Sequence, residues 1–224
     1  MTLPQATLVE IDFHFDPISP YAWLAFERLP QVLEGFSVTV RYRPLLFAGL
    51  LRHWGQKGPA EIEAKRAWTF RQVHWLAHRH GISLDTPAQH PFNPLALLRL
   101  LLACAPPGGL PNRWQCEQVF RHVWVGGADA NDPERLQALT STLAPRRDPL
   151  SEEVKAELRF ATEQALVQGL FGVPTLRAKG RLFWGVDAMD MLAASLQNDP
   201  WFDSGTWESE GQARPGVVRR SAQA

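Results

Sequence analysis

The N-terminal part of the chain passes from a strand-like to a helix-like pattern of apolar side chains and back. Residues 8 to 15 form an apolar, strand-like run that stops at Asp16 and Pro17. Apolar residues then recur at helical spacing between Leu24 and Leu33. Residues 37 to 43 alternate again and are rich in β-branched side chains. The order strand, helix, strand predicts that the chain opens with a βαβ unit.

A long helical segment follows, because no second strand pattern appears between Leu45 and about Gly169. Breaker residues divide this segment, among them the sequence Pro106-Pro107-Gly108-Gly109 and the pair Gly126-Gly127. The predicted helices run over residues 59–80, 94–104, 112–125, 132–143 and 151–167.

Strand character returns near the C-terminal end. Residues 173–178 and 181–184 are typical of two strands joined by a tight turn at Lys179-Gly180. A helix is predicted from Asp187 to about Gln197. Residues 203–224 are polar and contain glycine, and we predict that they form a mobile tail.

The order of elements predicts an α/β fold in which two distant parts of the chain share one sheet. Residues 1–44 and 170–202 can complete a βαβ-ββα sheet only if the helices between them form an excursion packed beside it. We therefore predict one sheet domain with an inserted all-helical domain over residues 45–169.

Composition excludes several classes of partner. The 224 residues carry 23 basic and 23 acidic side chains, which gives no electrostatic preference for nucleic acid. No apolar run approaches the roughly 20 residues of a membrane span, and the start lacks a signal-peptide pattern. We expect a soluble, cytoplasmic protein without a nucleic-acid or membrane partner. The spacing of Cys104 and Cys116 matches neither a redox motif nor a zinc site, so both are predicted to be core residues.

Ser19 is the candidate for chemistry. It precedes the first helix, where unpaired backbone N–H groups and a partial positive charge stabilise an anion, including a thiolate presented by a ligand. The alternative is that Ser19 only caps the helix, with Pro20 at the first helical position.

Two further sequences are candidates for a binding edge. Val173-Pro174 opens the third strand, and the frequency of cis bonds favours a trans peptide, whereas a cis bond would turn the Val173 backbone toward a peptide-like ligand. Asp187 with Asp190 resembles a capping box, and the alternative is that the Asp187 carboxylate holds an amino group of a ligand.

The spacing of the histidines does not predict a metal site. His74 and His78 have ligand spacing but lack the glutamate of a metalloprotease helix, so no metal is expected. His14 is close in sequence to Ser19, but alternation places it on the strand face opposite Phe13 and Phe15, where packing or edge exposure is expected.

Three motifs in order resemble those of a known family. They are Ser19-Pro20-Tyr21 after a strand, Gly172-Val173-Pro174-Thr175, and Trp184-Gly185-Val186-Asp187 before the last helix. They resemble 2-hydroxychromene-2-carboxylate isomerases and kappa-class glutathione transferases, in the DsbA-like branch of the thioredoxin superfamily. The resemblance covers residues 8 to 200, including residues 43–50, 55–59 and 64–66, which are similar to the family's glutathione-side loop and next helix.

The resemblance implies a thioredoxin fold with a cis Val173-Pro174 bond, glutathione as cofactor and a homodimer. Ser19 stands where the redox cysteine would be and would donate a hydrogen bond to the glutathione sulfur. The implied cofactor-binding residues are Gln56, Lys65, Val173, Pro174, Trp184 and Asp187. An aromatic floor for a planar substrate could come from Phe47, Trp54 and Trp68, although core packing explains these residues as well.

The expected activity is that of a glutathione-dependent isomerase acting on an aromatic or conjugated small molecule. A hydroxyl cannot form a mixed disulfide, so thiol-disulfide exchange on the protein at Ser19 is excluded and the nucleophile must come from the ligand. A kappa-like transferase is an alternative. A non-catalytic protein that binds glutathione or a peptide is another, because Val186 and Ala188 replace a polar residue and an arginine of the family.

Overall fold

Four strands form a single sheet in the computed structural model, which describes residues 8–212 together with Arg214 and Gly216. The strands are β1 (Val9–Phe15), β2 (Val38–Pro44), β3 (Thr175–Ala178) and β4 (Arg181–Trp184), in the order β2-β1-β3-β4. β1 is parallel to β2 and antiparallel to β3, and β3 is antiparallel to β4. The two distant parts of the chain therefore complete one sheet, and the predicted α/β, thioredoxin-like architecture is confirmed.

The helices of the described residues follow the predicted order. They are α1 (Pro20–Val32), α2 (Phe47–His53), α3 (Glu63–His80), α4 (Leu95–Ala103), α5 (Arg113–Trp124), α6 (Pro133–Leu143), α7 (Glu152–Val167), α8 (Met189–Leu196) and α9 (Thr206–Glu210). Short 3₁₀ turns cover Pro59–Glu61 and Pro200–Asp203. In that part of the chain, none of the helices is long and apolar enough to cross a membrane.

Two of the differences between the structure and the sequence predictions lie at α2 and at the start of α3. Residues 47–53 form α2, which the pattern did not indicate because two turns hold too few apolar positions for a period to be visible. The helix predicted over residues 59–80 is divided at Ile62, which is extended with φ −110° and ψ 111°.

The prediction of a mobile tail from residue 203 is wrong for its first part. Residues 206–210 form α9, and the ring of Trp207 lies 5.7 Å from Phe183 and 5.5 Å from Phe202. Burial of aromatic surface outweighs the polar composition of the segment. The remainder of the predicted tail, residues 213, 215 and 217–224, lies outside the described residues.

One hydrophobic core joins the sheet to the inserted helices. Ile11, Phe13 and Phe15 of β1 are fully buried on one face of the sheet, against α1 and α5. Phe120 of α5 lies 5.1 Å from Phe15 and 5.0 Å from Phe26 of α1, measured between ring centroids. Packing of these tilted rings holds α1 against the end of β1. The division of the chain into two domains stays a prediction.

Candidate functional site

Ser19 lies in the turn between β1 and α1 and caps that helix. Its backbone is extended at φ −87° and ψ 117°, Pro20 is the first helical residue, and the Ser19 Oγ accepts the Ala22 N–H at 3.3 Å. The same hydroxyl donates to the Val173 carbonyl oxygen at 3.4 Å. Both contacts are near the long limit for a hydrogen bond, so the hydroxyl can turn toward a ligand at little cost. Ser19 is therefore both a cap and a donor that faces the start of β3.

Asp16 is fully buried beneath this turn. Its carboxylate accepts the Ile18 N–H at 3.0 Å and the Phe47 N–H at 2.9 Å. Burial raises the pKa of Asp16 to about 7, against the lowering effect of the two N–H groups. The carboxyl group therefore links the Ser19 turn to the start of α2.

Two side chains of the helical segment hold the carbonyl groups of the same turn. Trp124 Nε1 donates to the Pro17 carbonyl oxygen at 2.9 Å. His90 Nε2 lies 2.9 Å from the Ile18 carbonyl oxygen and donates to it when the ring carries its proton on Nε2. Burial lowers the pKa of His90 below its ordinary value, so the ring is neutral near pH 7. One residue of α5 and one of the loop between α3 and α4 thus hold the backbone that leads into Ser19.

The Val173-Pro174 peptide bond is cis, as the resemblance implies and as bond frequencies alone did not indicate. The Val173 carbonyl faces the Ser19 hydroxyl. Among the residues that the structure describes, none accepts a hydrogen bond from the Val173 N–H. This backbone edge can therefore pair with an extended, peptide-like ligand.

Trp184 and two glycines shape the other side of this edge. A Cβ on Gly172 would overlap the Trp184 Nε1 atom, so the indole lies directly against the backbone that leads to Val173. Gly185 has φ +92°, and its N–H donates to the Pro174 carbonyl at 2.9 Å. Only glycine adopts that φ without strain, so the turn after β4 stays close to the cis bond.

Asp187 is not part of a capping box, and that prediction is wrong. α8 begins at Met189 with Ala188 at its N-cap and without a side-chain cap. Asp187 instead belongs to the preceding turn and is exposed. Burial raises the pKa of Tyr21 in α1, and the charge of Asp187 adds to that rise, so the carboxylate lies near the first turn of α1.

Phe47 and Trp54 flank the site on the side of α2. Phe47 bonds to Asp16 through its N–H, and Trp54 Nε1 donates to the Leu170 carbonyl at 3.0 Å. The α2 segment is thereby held to the residues before Val173. Trp54 is 46 % exposed, so part of the indole is available to a ligand.

Gln56, Lys65 and Trp68 are not tied to this group by the structure. All three are exposed, and in the described part of the chain no hydrogen bond or ion pair involves the side chain of Gln56 or Lys65. The positive charge of Arg66, next to Lys65 in the sequence, helps to lower the pKa of His90. The first turn of α3 is therefore close enough to influence the Ser19 turn.

Sequence reasoning missed Asp16, His90 and Trp124. Asp16 was interpreted only as the residue that ends a strand, although an acid directly before a helix start was a usable signal. No local pattern points to His90, which lies in the loop between α3 and α4, or to Trp124 at the end of α5, because both are far along the chain from the turn.

The protein itself offers no reactive thiol at this site. Cys104 and Cys116 are both buried and unpaired. Burial raises the pKa of Cys104 to about 11 and raises that of Cys116 as well, so neither forms a thiolate near pH 7. Within residues 8–212, no group of three or more acidic, histidine or cysteine side chains is arranged to hold a metal ion.

Comparisons with known proteins agree with this arrangement. The model of the DSBA-like thioredoxin domain matches residues 10–197. The 2-hydroxychromene-2-carboxylate isomerase of Pseudomonas putida is 30% identical over 197 residues, which cover 83% of this chain and 93% of the relative. Glutathione S-transferase kappa 1 of Homo sapiens is 24% identical over 208 residues, or 85% of this chain and 92% of the relative.

A solved structure has the same fold. A 2-hydroxychromene-2-carboxylate isomerase superposes with a TM-score of 0.73 at 23% identity, and the match covers 87% of this chain and 98% of that one.

Proposed function

This chain belongs to the DSBA-like thioredoxin domain family, and from that premise we propose that it is a glutathione-dependent isomerase of the 2-hydroxychromene-2-carboxylate isomerase type. Relatives named as such isomerases and as kappa-class glutathione transferases support an enzyme of this group. The observation that carries the proposal is the Ser19 hydroxyl. It occupies a helix N-terminus opposite the Val173 carbonyl, with no protein thiol beside it.

The unpaired groups around Ser19 fit glutathione. The Val173 N–H without a described acceptor matches the peptide backbone of a tripeptide. The exposed Asp187 carboxylate matches an amino group. Lys65 is exposed at the start of α3, outside the group of residues around Ser19, and is proposed to meet a carboxylate of the ligand. Asp187 and Lys65 would thus meet the ammonium group and one of the two carboxylates of glutathione.

The residues of the chain then have separable roles. Ser19 donates a hydrogen bond to the ligand sulfur, and the partial positive charge at the start of α1 favours the thiolate over the thiol. Val173 and Pro174 orient the ligand backbone, while Trp184 covers it. Phe47 and Trp54 provide apolar surface for a planar substrate.

When bound, glutathione supplies a thiolate nucleophile that can add reversibly to a conjugated aromatic substrate. Reversible addition leaves glutathione unconsumed, which is the mark of an isomerase. In the alternative kappa-like transferase, one glutathione is consumed for each substrate molecule. A homodimer and a cytoplasmic location also stay predictions.

The test is an assay of the purified protein with 2-hydroxychromene-2-carboxylate, followed by ultraviolet absorbance with and without glutathione. We expect turnover that requires glutathione and leaves its concentration unchanged. Ser19→Ala should lower kcat by about 100-fold, the range found when a hydrogen-bond donor to developing negative charge is removed.

Ser151→Ala is the matched control. Ser151 caps α7 by accepting the Val154 N–H at 3.3 Å, as Ser19 accepts that of Ala22. Either change removes a cap worth about 1 kcal/mol. If both variants retain the same turnover, Ser19 has only the capping role. Binding of glutathione without turnover of any conjugated substrate would favour the non-catalytic alternative.

A further inference from the structure

The sheet has a second face that the proposed function does not use. Asp12 and His14 of β1 point to this face, away from the core that contains Phe13. α7 and the loop at residues 108–110 cover one end of it and leave a cavity of about 150 Å³. We call this cavity the reverse-face bay and define it by the lining residues used below, His14, Arg43, Leu110, Phe160 and Ala161.

His14 is a buried polar group without a partner. The side chain is only 3 % exposed, and its Nε2 atom has no hydrogen-bond partner among the described residues. A buried imidazole nitrogen normally has one, because an unpaired buried polar atom costs stability. The ring lines the bay, so a bound polar group would satisfy it.

Arg43 provides the bay with a positive charge and with hydrogen-bond donors that have no partner. Its Nε donates to Asp12, and its other two guanidinium nitrogens have no partner in the described part of the chain. Asp12 also pairs with Arg41 and, at 3.8 Å, with Arg177, while Arg41 pairs with Glu10. Three arginines against two carboxylates leave an excess positive charge on this face.

The carboxylate in the wall of the bay does not cancel that excess. Glu157 accepts two hydrogen bonds from Arg147, at 2.7 and 2.8 Å, and the Gly108 N–H at 3.2 Å. Its charge is therefore already compensated by a partner outside the bay.

The remaining lining is mostly apolar and of a definite size. Leu110, Phe160 and Ala161 contribute hydrocarbon and aromatic surface. An engineered apolar cavity of about 150 Å³ holds one benzene molecule. The bay therefore accommodates a single ring or an aliphatic body of similar volume.

We propose that the reverse-face bay binds a small carboxylic acid with a compact apolar body. The carboxylate would take the free guanidinium donors of Arg43 and a hydrogen bond from the His14 ring, and the body would pack against Leu110 and Phe160. None of the five residues that define the bay is among the residues predicted to bind glutathione or to form the substrate floor, although Arg43 begins the segment 43–50 that resembles the glutathione-side loop. The proposal does not depend on the proposed function.

Calorimetric titration of the full chain tests the proposal, with sodium benzoate as the probe and benzyl alcohol as its uncharged counterpart. We expect saturable benzoate binding that is at least tenfold tighter than that of the alcohol. Arg43→Met should weaken benzoate binding by about tenfold or more, and Ala161→Phe, which fills the bay from α7, should abolish it. Excess glutathione should not displace benzoate.

Arg177→Met is the control for charge alone, since Arg177 pairs with the same Asp12 but does not line the bay. It should change benzoate affinity by less than about twofold. The proposal is overturned if no saturable binding occurs in the millimolar range, or if glutathione displaces benzoate. Equal binding of the alcohol, or unchanged binding in Ala161→Phe, would overturn it as well. The comparison of benzoate with benzyl alcohol uses only the unmodified protein, so it tests the proposal even if a variant does not fold.

Discussion

Replacement of Asp16 by Asn should change how the stability of the protein depends on pH. The Asp16 carboxyl group is fully buried beneath the Ser19 turn, where it accepts the N–H groups of Ile18 and Phe47. Asn keeps the size of the side chain and one acceptor oxygen but does not ionise. The variant therefore separates the ionisation of this group from its packing.

The structure gives the sign and the size of the effect. Burial raises the pKa of Asp16 from 3.8 to about 7. Between these values the folded protein binds more protons than the unfolded chain, so its stability falls as pH rises. The contribution of Asp16 is fully present below the unfolded pKa and is lost as pH rises through about 7. With a pKa of 3.8 in the unfolded chain and about 7 in the folded protein, proton linkage predicts that the free energy of unfolding falls by about 2.5 kcal/mol from about pH 5 to about pH 8.

Urea unfolding of both proteins across that pH range measures this loss. His14, His90 and His122 also have lowered pKa values because of burial, and they reduce stability as pH falls, but they do so in both proteins. The difference between the two curves therefore isolates Asp16. The Asp16→Asn variant should have a lower free energy of unfolding than the unmodified protein at low pH, because its side chain has one hydrogen-bond acceptor fewer. This difference should decrease by about 2.5 kcal/mol toward pH 8, as the unmodified protein loses stability. A difference in stability that stays constant with pH would show that Asp16 does not have a raised pKa in the folded protein.

Three further variants test other parts of the structure. Gly172→Ala should displace the Trp184 indole and weaken glutathione binding about tenfold in a titration, while leaving the melting temperature within a few degrees; unchanged affinity would contradict the assigned edge. Trp124→Phe leaves the buried Pro17 carbonyl without its donor and should cost about 1–3 kcal/mol in urea unfolding, whereas a cost near zero would show that the bond does not hold the Ser19 turn. Trp207→Ala should cost about 2 kcal/mol by the same measurement, because its ring packs on Phe183, and a neutral effect would restore the prediction of a mobile tail from residue 203.

The alternation of apolar residues was sufficient to predict the sheet. Strands and long helices have enough periodic positions to be recognised, and two half-sheets separated by helices have few ways to combine. The short helices α2 and α9 lack such positions, and they form because tertiary contacts of Phe47 and Trp207 stabilise them. Local pattern also placed His14 on the face opposite Phe13, but the cover supplied by α7 depends on long-range packing.

The candidate site also combines features that local sequence predicts with features that depend on distant parts of the chain. Ser19 at a helix start was visible in the sequence because caps have a local signature. The cis bond before Pro174 came from the resemblance, since the frequency of cis bonds favours trans. The capping box at Asp187 and Asp190 was wrong because the helix begins two residues later than its pattern indicated. His90 reaches the Ser19 turn from 72 positions away, which no local motif reports.

In the proposed function, Ser19 and the start of α1 activate the thiol of bound glutathione. The most direct test of this activation is a pH titration of the protein with glutathione, in which thiolate is followed by ultraviolet absorbance in the unmodified chain and in the Ser19→Ala and Ser151→Ala variants. Thiolate should appear well below the pKa of about 8.5 of a free thiol in the unmodified chain and in Ser151→Ala, and this shift should be lost in Ser19→Ala. A thiolate pKa equal to that of free glutathione, or the same lowered value in all three proteins, would contradict this role of Ser19.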